Sequence, residues 1–204
     1  MESDVVTEAA PEPTDGRTLR SLRTREAIVD ATIALLEKGD LRPTAPRVAE
    51  QAGVSVRSVF QHFADLESLH ASVAERLVER VAVILVPIPA ELPLAERLDR
   101  MVHQRCLLLE VVTPIRRAAD VHGPFSDEIT ARLRDGQAFL RAELEQVFAP
   151  ELEGLGDERA DVLDALDAAL GWGTWEGLRA SNGRDQPSAE RVVRRLVAAV
   201  LGAP

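Results

Sequence analysis

Apolar side chains recur every three or four positions through most of the chain, and no stretch alternates with the two-residue period of a strand. The pattern predicts an all-α protein of about nine helices. A first helix runs from about Thr18 to Lys38, with Ile28, Ala31, Leu35 and Leu36 inward and Gly39 as its stop. Thr44 offers an N-cap to a short helix with Pro46 in its first turn. That helix buries Val48, Ala49 and Ala52 and stops at Gly53. Ser55 caps another short helix, whose Val59 and Phe63 lie one turn apart on the inner side.

Asp65 then caps a longer helix to about Val86, with Leu69, Val73, Leu77, Val81 and Leu85 as its stripe, ended by Pro87, Pro89 and Pro93. Leu94–Val112 follows, with Leu98, Met101, Val102, Arg105 and Leu109 in phase. Thr113–Pro114 opens a short helix that Gly123–Pro124 breaks. Apolar positions Ile129, Leu133, Leu140, Leu144 and Val147 mark a helix from Ser126 to about Phe148. Helices over about 158–180 and 188–201 complete the chain. Three domains follow: a disordered acidic tail over 1–16, a small three-helix unit over 17–65, and a helical body over 66–204.

Composition agrees with helix: 46% of the 204 residues are hydrophobic, only 3% aromatic, and Tyr is absent. No apolar run reaches the roughly 18 residues of a membrane span, and no basic-then-apolar leader opens the chain. With Cys106 as the one cysteine, no disulfide forms within the chain, and the expected place is the cytoplasm. The net charge of −10 argues against nucleic acid until its distribution is considered. Residues 1–16 hold five acids and no base, whereas 17–70 hold eight bases against seven acids. Four of those bases, Arg17, Arg20, Arg23 and Arg25, lie together at the start of the first helix.

The segment from Thr44 to Phe63 has the form of a helix-turn-helix. Two short helices joined by a tight turn need a small residue where they cross and glycine at the bend, which Ala49 and Gly53 supply. Val54 and Val59 seal the miniature core. Val56, Arg57, Ser58, Gln61 and His62 are left near or on the outer face of the second helix. Arg and Gln match base edges in a major groove, and Ser and His reach phosphates.

Residues about 20–70 resemble the N-terminal domain of the tetracycline-repressor (TetR/AcrR) family of regulators. The resemblance rests on Thr24-Arg25-Glu26-Ala27-Ile28, Thr44 with Val48-Ala49, Ala52-Gly53-Val54-Ser55, and Val59-Phe60-Gln61-His62-Phe63 followed by Glu67 and Leu69. It implies a DNA-binding head with helices over 18–38, 45–52 and 56–63, the third lying in the major groove. By position Val56, Arg57 and Gln61 then face base edges. Thr44, Ser58, Phe60 and His62 face the backbone, with Arg47 a further contact and Ser55 opening the reading helix. Phe60 stands where the family usually has Tyr and Leu66 where Lys is usual. Each change removes at most about one counterion's worth of phosphate binding, which the early Arg cluster compensates.

The resemblance further implies a dimeric, ligand-responsive repressor, released from a pseudopalindromic double-stranded operator by a small hydrophobic effector. The body then has two tasks, dimerisation and effector binding. For dimerisation, Val162, Leu163, Leu166, Ala169, Leu170, Trp172 and Trp175 leave helix 158–180 apolar nearly all round. Val192, Val193, Leu196, Val197, Val200 and Leu201 do the same for 188–201, and these two helices pair the subunits. For the effector, the expected lining is Leu77, Val81, Met101, Arg105, Leu108, Leu109, Phe125, Ile129, Phe139 and Trp172. Arg105, His103, Glu110 and His122 are the candidate polar contacts.

Gly171, Gly173 and Gly177 have the wrong spacing for a dinucleotide loop and read as small residues at a close helix approach. His103 and Cys106 share a helix face without a third ligand, and no catalytic pair or nucleophile elbow emerges, so no enzyme, cofactor or metal is expected. The rival reading is a helical carrier or enzyme in which the helix-turn-helix is only a structural corner.

Overall fold

A computed structural model describes residues 16–203, apart from the side chains of Arg17 and Phe125. The expected acidic tail lies outside the described residues as far as Asp15, and Gly16 already begins the first helix. Every regular element among the described residues is helical: α1 (Gly16–Glu37), α2 (Ala45–Ala52), α3 (Val56–His62), α4 (Leu66–Ala82), α5 (Leu94–His122), α6 (Asp127–Val147), α7 (Ala149–Leu152), α8 (Arg159–Ala169), α9 (Trp172–Glu176) and α10 (Gln186–Val200). Setting the single turn α7 apart leaves nine helices. None is long and apolar enough to cross a membrane.

Two apolar clusters organise the packing. The first joins Ile28, Val29, Ile33, Leu35 and Leu36 of α1 to Val48 and Ala49 of α2, Val59 and Phe63 around α3, and Leu69 and Val73 of α4. Ala118 and the half-buried Ile115, from the far end of α5, close it. The second gathers Leu98, Met101, Val102, Leu108 and Leu109 of α5 with Leu144, Val147 and Phe148, with Leu163 and Leu166 of α8, Trp175 of α9, and Val193 and Val197 of α10. Thus α5 contributes to both cores.

The helix starts follow the side chains that cap them. Asp65 and Ser68 form a reciprocal capping box at α4, with the Ser68 amide donating to Asp65 Oδ1 at 2.8 Å. That bond holds the Asp65 carboxyl below the usual aspartate range. Ser126 and Asp185 cap α6 and α10 one way only, their side chains accepting the Ile129 and Ser188 amides.

Three boundaries differ from the pattern. The stripe extrapolates α4 to Val86, but the helix ends at Ala82. The chain tightens there, with the Ile84 amide bonded to the Val81 carbonyl, and the Val86 amide donates instead to Gln104 Oε1 at 2.8 Å. Conversely, α5 continues through Pro114 to His122, where a new helix was expected. Proline there removes one intrahelical hydrogen bond and crowds the preceding turn, at a cost of about 3 kcal/mol. Contacts on the far side offset it: Ala118 is buried, and Arg117 forms a two-point pair with Glu176 of α9 at 2.8 and 2.9 Å.

The third departure splits the expected helix 158–180. α8 stops at Ala169, Gly171 adopts extended backbone (ψ 159°), α9 restarts at Trp172, and a π turn spans Gly177–Ser181. Gly171 is the one glycine of that trio with a steric reason, since a Cβ there would lie 2.8 Å from the Asp167 carbonyl oxygen. A Cβ at Gly173 or Gly177 meets nothing within 4 Å, so the close helix approach inferred for those two does not occur.

Candidate nucleic-acid interface

Eight residues of α2 and seven of α3 are too few to hold a helix alone, so both depend on caps and packing. Gly53 takes φ +68°, in the left-handed region, and its amide donates to the Glu50 carbonyl at 3.2 Å. The next amide, Val54, donates to the Ala49 carbonyl at 2.9 Å. This is a Schellman ending, which favours glycine because a Cβ in that conformation costs about 1–2 kcal/mol. Ser55 then starts α3 by accepting the Ser58 amide at 3.0 Å. Val59 and Phe63, 1% and 3% exposed, pin the inner face of α3 to the core.

With that face fixed, the opposite one is determined. Val56, Arg57, Phe60 and Gln61 are exposed, and Ser58 and His62 are half-buried beside them. Val56 and Phe60 leave 39% and 53% of their surface open. Arg57 has no ion pair or hydrogen bond among the described residues.

Thr44 departs from the sequence expectation in a useful way. It occupies the N-cap position of α2 with extended backbone, but its hydroxyl makes no cap hydrogen bond. It is exposed and uncommitted, next to the start of the helix. Arg47 is partly committed: its guanidinium lies 2.8 Å from Asp40, with the arginine side chain 58% exposed.

The early Arg cluster does not act as one group. Arg20, Arg23 and Arg25 are all exposed, but the Arg25 guanidinium folds back on the head, donating to Ser72 Oγ at 2.6 Å and lying 4.9 Å from the centre of the Phe63 ring. Periodicity gave no sign of this, because the partners are 38 and 47 residues away. The same holds for the seam between α4 and the end of α5. There the His70 and His122 rings sit 5.2 Å apart, and His122 Nε2–H donates to the Leu41 carbonyl at 3.2 Å. Burial, followed by the neighbouring His122, lowers the pKa of His70.

Among the described residues, those expected to line an effector cavity divide into a sealed group and a more open one. Met101, Arg105, Leu108 and Leu109 are at most 3% exposed and packed shut, whereas Phe139 is 60% exposed. Leu77, Val81 and Ile129 are half-buried, and the Phe125 side chain lies outside the described residues. Arg105 Nη2 donates to Glu143 at 2.9 Å and to the Leu140 carbonyl at 3.1 Å, while its buried Nε has no partner among the described residues. Glu110 pairs with Arg179, and His103 with Glu190, so the candidate polar contacts diverge. A cleft of about 590 Å³ opens elsewhere, lined by Arg116, Gln137, Arg141, Asp164, Asp167 and residues 168 and 171–174. Of the expected lining it shares only Trp172, whose face is covered by the Arg116 guanidinium 5.1 Å away.

Comparison with known proteins agrees with this geometry. Residues 28–73 match the model of the bacterial regulatory proteins of the tetR family. No curated protein matches the chain. A protein from Mesorhizobium loti MAFF303099, classed with the TetR-family transcriptional regulators, superposes with a TM-score of 0.62 at 20% identity, covering 90% of this chain and 97% of that one. A transcriptional regulator from Rhodococcus sp. Rha1 superposes with a TM-score of 0.64 at 16% identity, covering 89% and 96%. The fold is therefore shared along nearly the whole chain, while the sequence likeness is concentrated in the residues that build the helix-turn-helix. Residues 28–73 thus carry the tetR-family pattern of bacterial regulatory proteins, within a fold that solved transcriptional regulators share.

Proposed function

We propose that the protein is a dimeric repressor that reads a pseudopalindromic operator through α3 and leaves it when a small ligand occupies the body. The observation that supports this best is the outer face of α3. Val56, Arg57 and Gln61 stand exposed on a helix whose opposite face is locked by Val59 and Phe63. Arg57 and Gln61 meet base edges, and Val56 meets a thymine methyl or sugar. Thr44, Ser55, Ser58, Phe60 and His62 meet the backbone, joined by Arg47 once it releases Asp40. In this reading 17–65 form the DNA-binding head and 66–204 the effector and dimer domain, and the protein acts in the cytoplasm.

Two heads must be held at a fixed spacing to read two half-sites. The face suited to that is on α8 and α10, where Leu196 is 41% exposed and Val162, Val192, Val200 and Leu201 are half-buried. A small hydrophobic effector would enter beside α5 by parting α4 or α6 from it, because Leu77, Val81 and Ile129 are half-buried there while Met101, Leu108 and Leu109 are sealed.

The test is binding to duplexes selected from a random pool and to DNA flanking the gene. Dimer binding with steep salt dependence is expected. Arg57→Ala with Gln61→Ala should weaken the preferred duplex by about 1–3 kcal/mol per lost base contact and leave scrambled DNA nearly unchanged. Unchanged selectivity in the double variant overturns the assignment of α3. A monomeric mass by light scattering at micromolar concentration overturns the dimer.

A further inference from the structure

We propose that Arg25 is a positioning residue for DNA reading: it fixes the end of α3 against α1 and α4, and so sets the angle at which Arg57 and Gln61 leave the head. The proposal rests on the reading that α3 meets DNA.

A basic residue in the Arg-rich first turns of α1 would ordinarily be assigned to a phosphate. Arg25 is exposed, but its guanidinium is already engaged within the head. Its guanidinium stacks 4.9 Å from the Phe63 ring centre, and Nη2 donates to Ser72 Oγ at 2.6 Å. Phe63 is the residue that ends α3, with extended backbone and its amide bonded to the Val59 carbonyl at 2.9 Å. Ser72 lies on α4 and is 5% exposed. One side chain of α1 therefore touches the last anchor of α3 and the second turn of α4.

The hydrogen bonds continue from there. Ser72 Oγ donates to the Ser68 carbonyl at 3.3 Å, and Ser68 Oγ donates to the Asp65 carbonyl at 2.9 Å. Asp65 Oδ1 in turn accepts the Ser68 amide. Phe63 and Asp65 flank Ala64, so the turn between α3 and α4 is held on both sides: by the guanidinium on Phe63 and by the serine chain that ends at Asp65. Within α3 itself only Val59 is buried. A seven-residue helix with one internal anchor takes its direction from its ends. Ser55 fixes the first end, and Phe63 under Arg25 fixes the second.

Three roles for Arg25 predict different results. Native protein, Arg25→Met, Arg25→Lys and Ser72→Ala are compared on a preferred duplex chosen by the native protein from a random pool, and on a scrambled duplex, across a salt series. Amide exchange of Val59 and Phe63 is followed without DNA. Positioning predicts that Arg25→Met loses about tenfold in preference for the chosen duplex and exchanges the Phe63 amide about tenfold faster, the scale of a cation–π contact with a charged hydrogen bond. Affinity for the scrambled duplex and the salt slope stay at the native values. Arg25→Lys does not restore preference, because an ammonium lacks the planar fork that stacks and donates together. Ser72→Ala shows a smaller loss in the same direction.

A salt slope reduced by about one in Arg25→Met, with Arg25→Lys behaving as native, overturns the proposal in favour of a phosphate contact. Native selectivity in all variants, with only a lower melting temperature, overturns it in favour of a purely structural role. Failure of the native protein to select any duplex removes the DNA reading itself, and the proposal with it, before a variant is made.

Discussion

Arg97 is 3% exposed and spends every donor group within reach. Nε donates to the Leu92 carbonyl at 2.8 Å, and Nη1 to the Val147 carbonyl at 2.7 Å and Glu151 Oε2 at 2.6 Å. Nη2 donates to Glu151 Oε1. These bonds join the connector before α5, the end of α6, and α7. Arg97→Met keeps most of the side-chain volume and removes the charge. It leaves a carboxylate and two carbonyls without their donor, and breaking a buried pair in this way costs about 3–5 kcal/mol. The Glu151 side chain keeps 20% of its exposure and can still meet water, which places the cost near about 3 kcal/mol. For a chain of 204 residues, that lowers the melting temperature by about 6–12 °C.

Adding Glu151→Leu removes the stranded charge and should recover about half of the loss, the carbonyls of Leu92 and Val147 accounting for the rest. Calorimetry or urea unfolding at neutral pH measures all four corners of the cycle. The hydrogen bond from Arg97, foremost, holds the Glu151 pKa below its ordinary 4.5. This stabilisation is complete above pH 4.5 and is lost as pH falls through the lowered value, so the gap between native and Arg97→Met must narrow in acid. A double variant as unstable as the single one, or a gap that does not change with pH, would refute the account.

Gly171→Ala should destabilise by about 1–3 kcal/mol because its Cβ would lie 2.8 Å from a backbone oxygen, whereas Gly173→Ala, on open helix, should be neutral or slightly stabilising; thermal melts decide. His70 is held neutral by burial and by His122, so its contribution is fully present above pH 6.5 and is lost as pH falls through the lowered value. His70→Asn should flatten that part of the stability–pH profile, and an unchanged profile would contradict the assignment. Burial pushes the Cys106 thiol up to about 12, so an aromatic disulfide reagent at neutral pH should modify it only after unfolding; rapid labelling of the folded protein would sink this.

The parts of the fold legible in the sequence are those set by neighbours in the chain. Gly53, Ser55, Val59 and Phe63 lie within eleven residues and together dictate a turn, a cap and a buried face. Asp65 announces α4 for the same reason. What periodicity misjudged depends on distant contacts. Pro114 breaks a helix only if nothing holds its far side, and the holding residue, Glu176, lies 62 positions on. The break at Gly171 was hidden because glycine permits both a helix and the extended turn that replaces it. Val83–Val86 continue the α4 stripe, but Gln104 of α5 takes the Val86 amide and turns the chain away.

Arg105 shows why an effector site was harder to read than the exposed face of α3. A cation in the buried phase of a helix must have an acceptor, because an unpaired buried charge costs several kcal/mol or more. The sequence reveals that need without saying whether a ligand or another side chain meets it, and here Glu143, 38 residues on, does so. The same question asked of Arg57 has the opposite answer. Its helix is oriented by Val59 and Phe63, its side chain is exposed, and no acceptor within the described residues approaches it. An exposed, unpaired arginine is ordinary on a surface. It becomes informative on α3 because Gln61 lies one turn away on the same exposed side and the uncommitted Thr44 hydroxyl belongs to the same head. These donors and acceptors are left free where the rest of the protein pairs its buried charges within itself, which argues for a partner outside the chain.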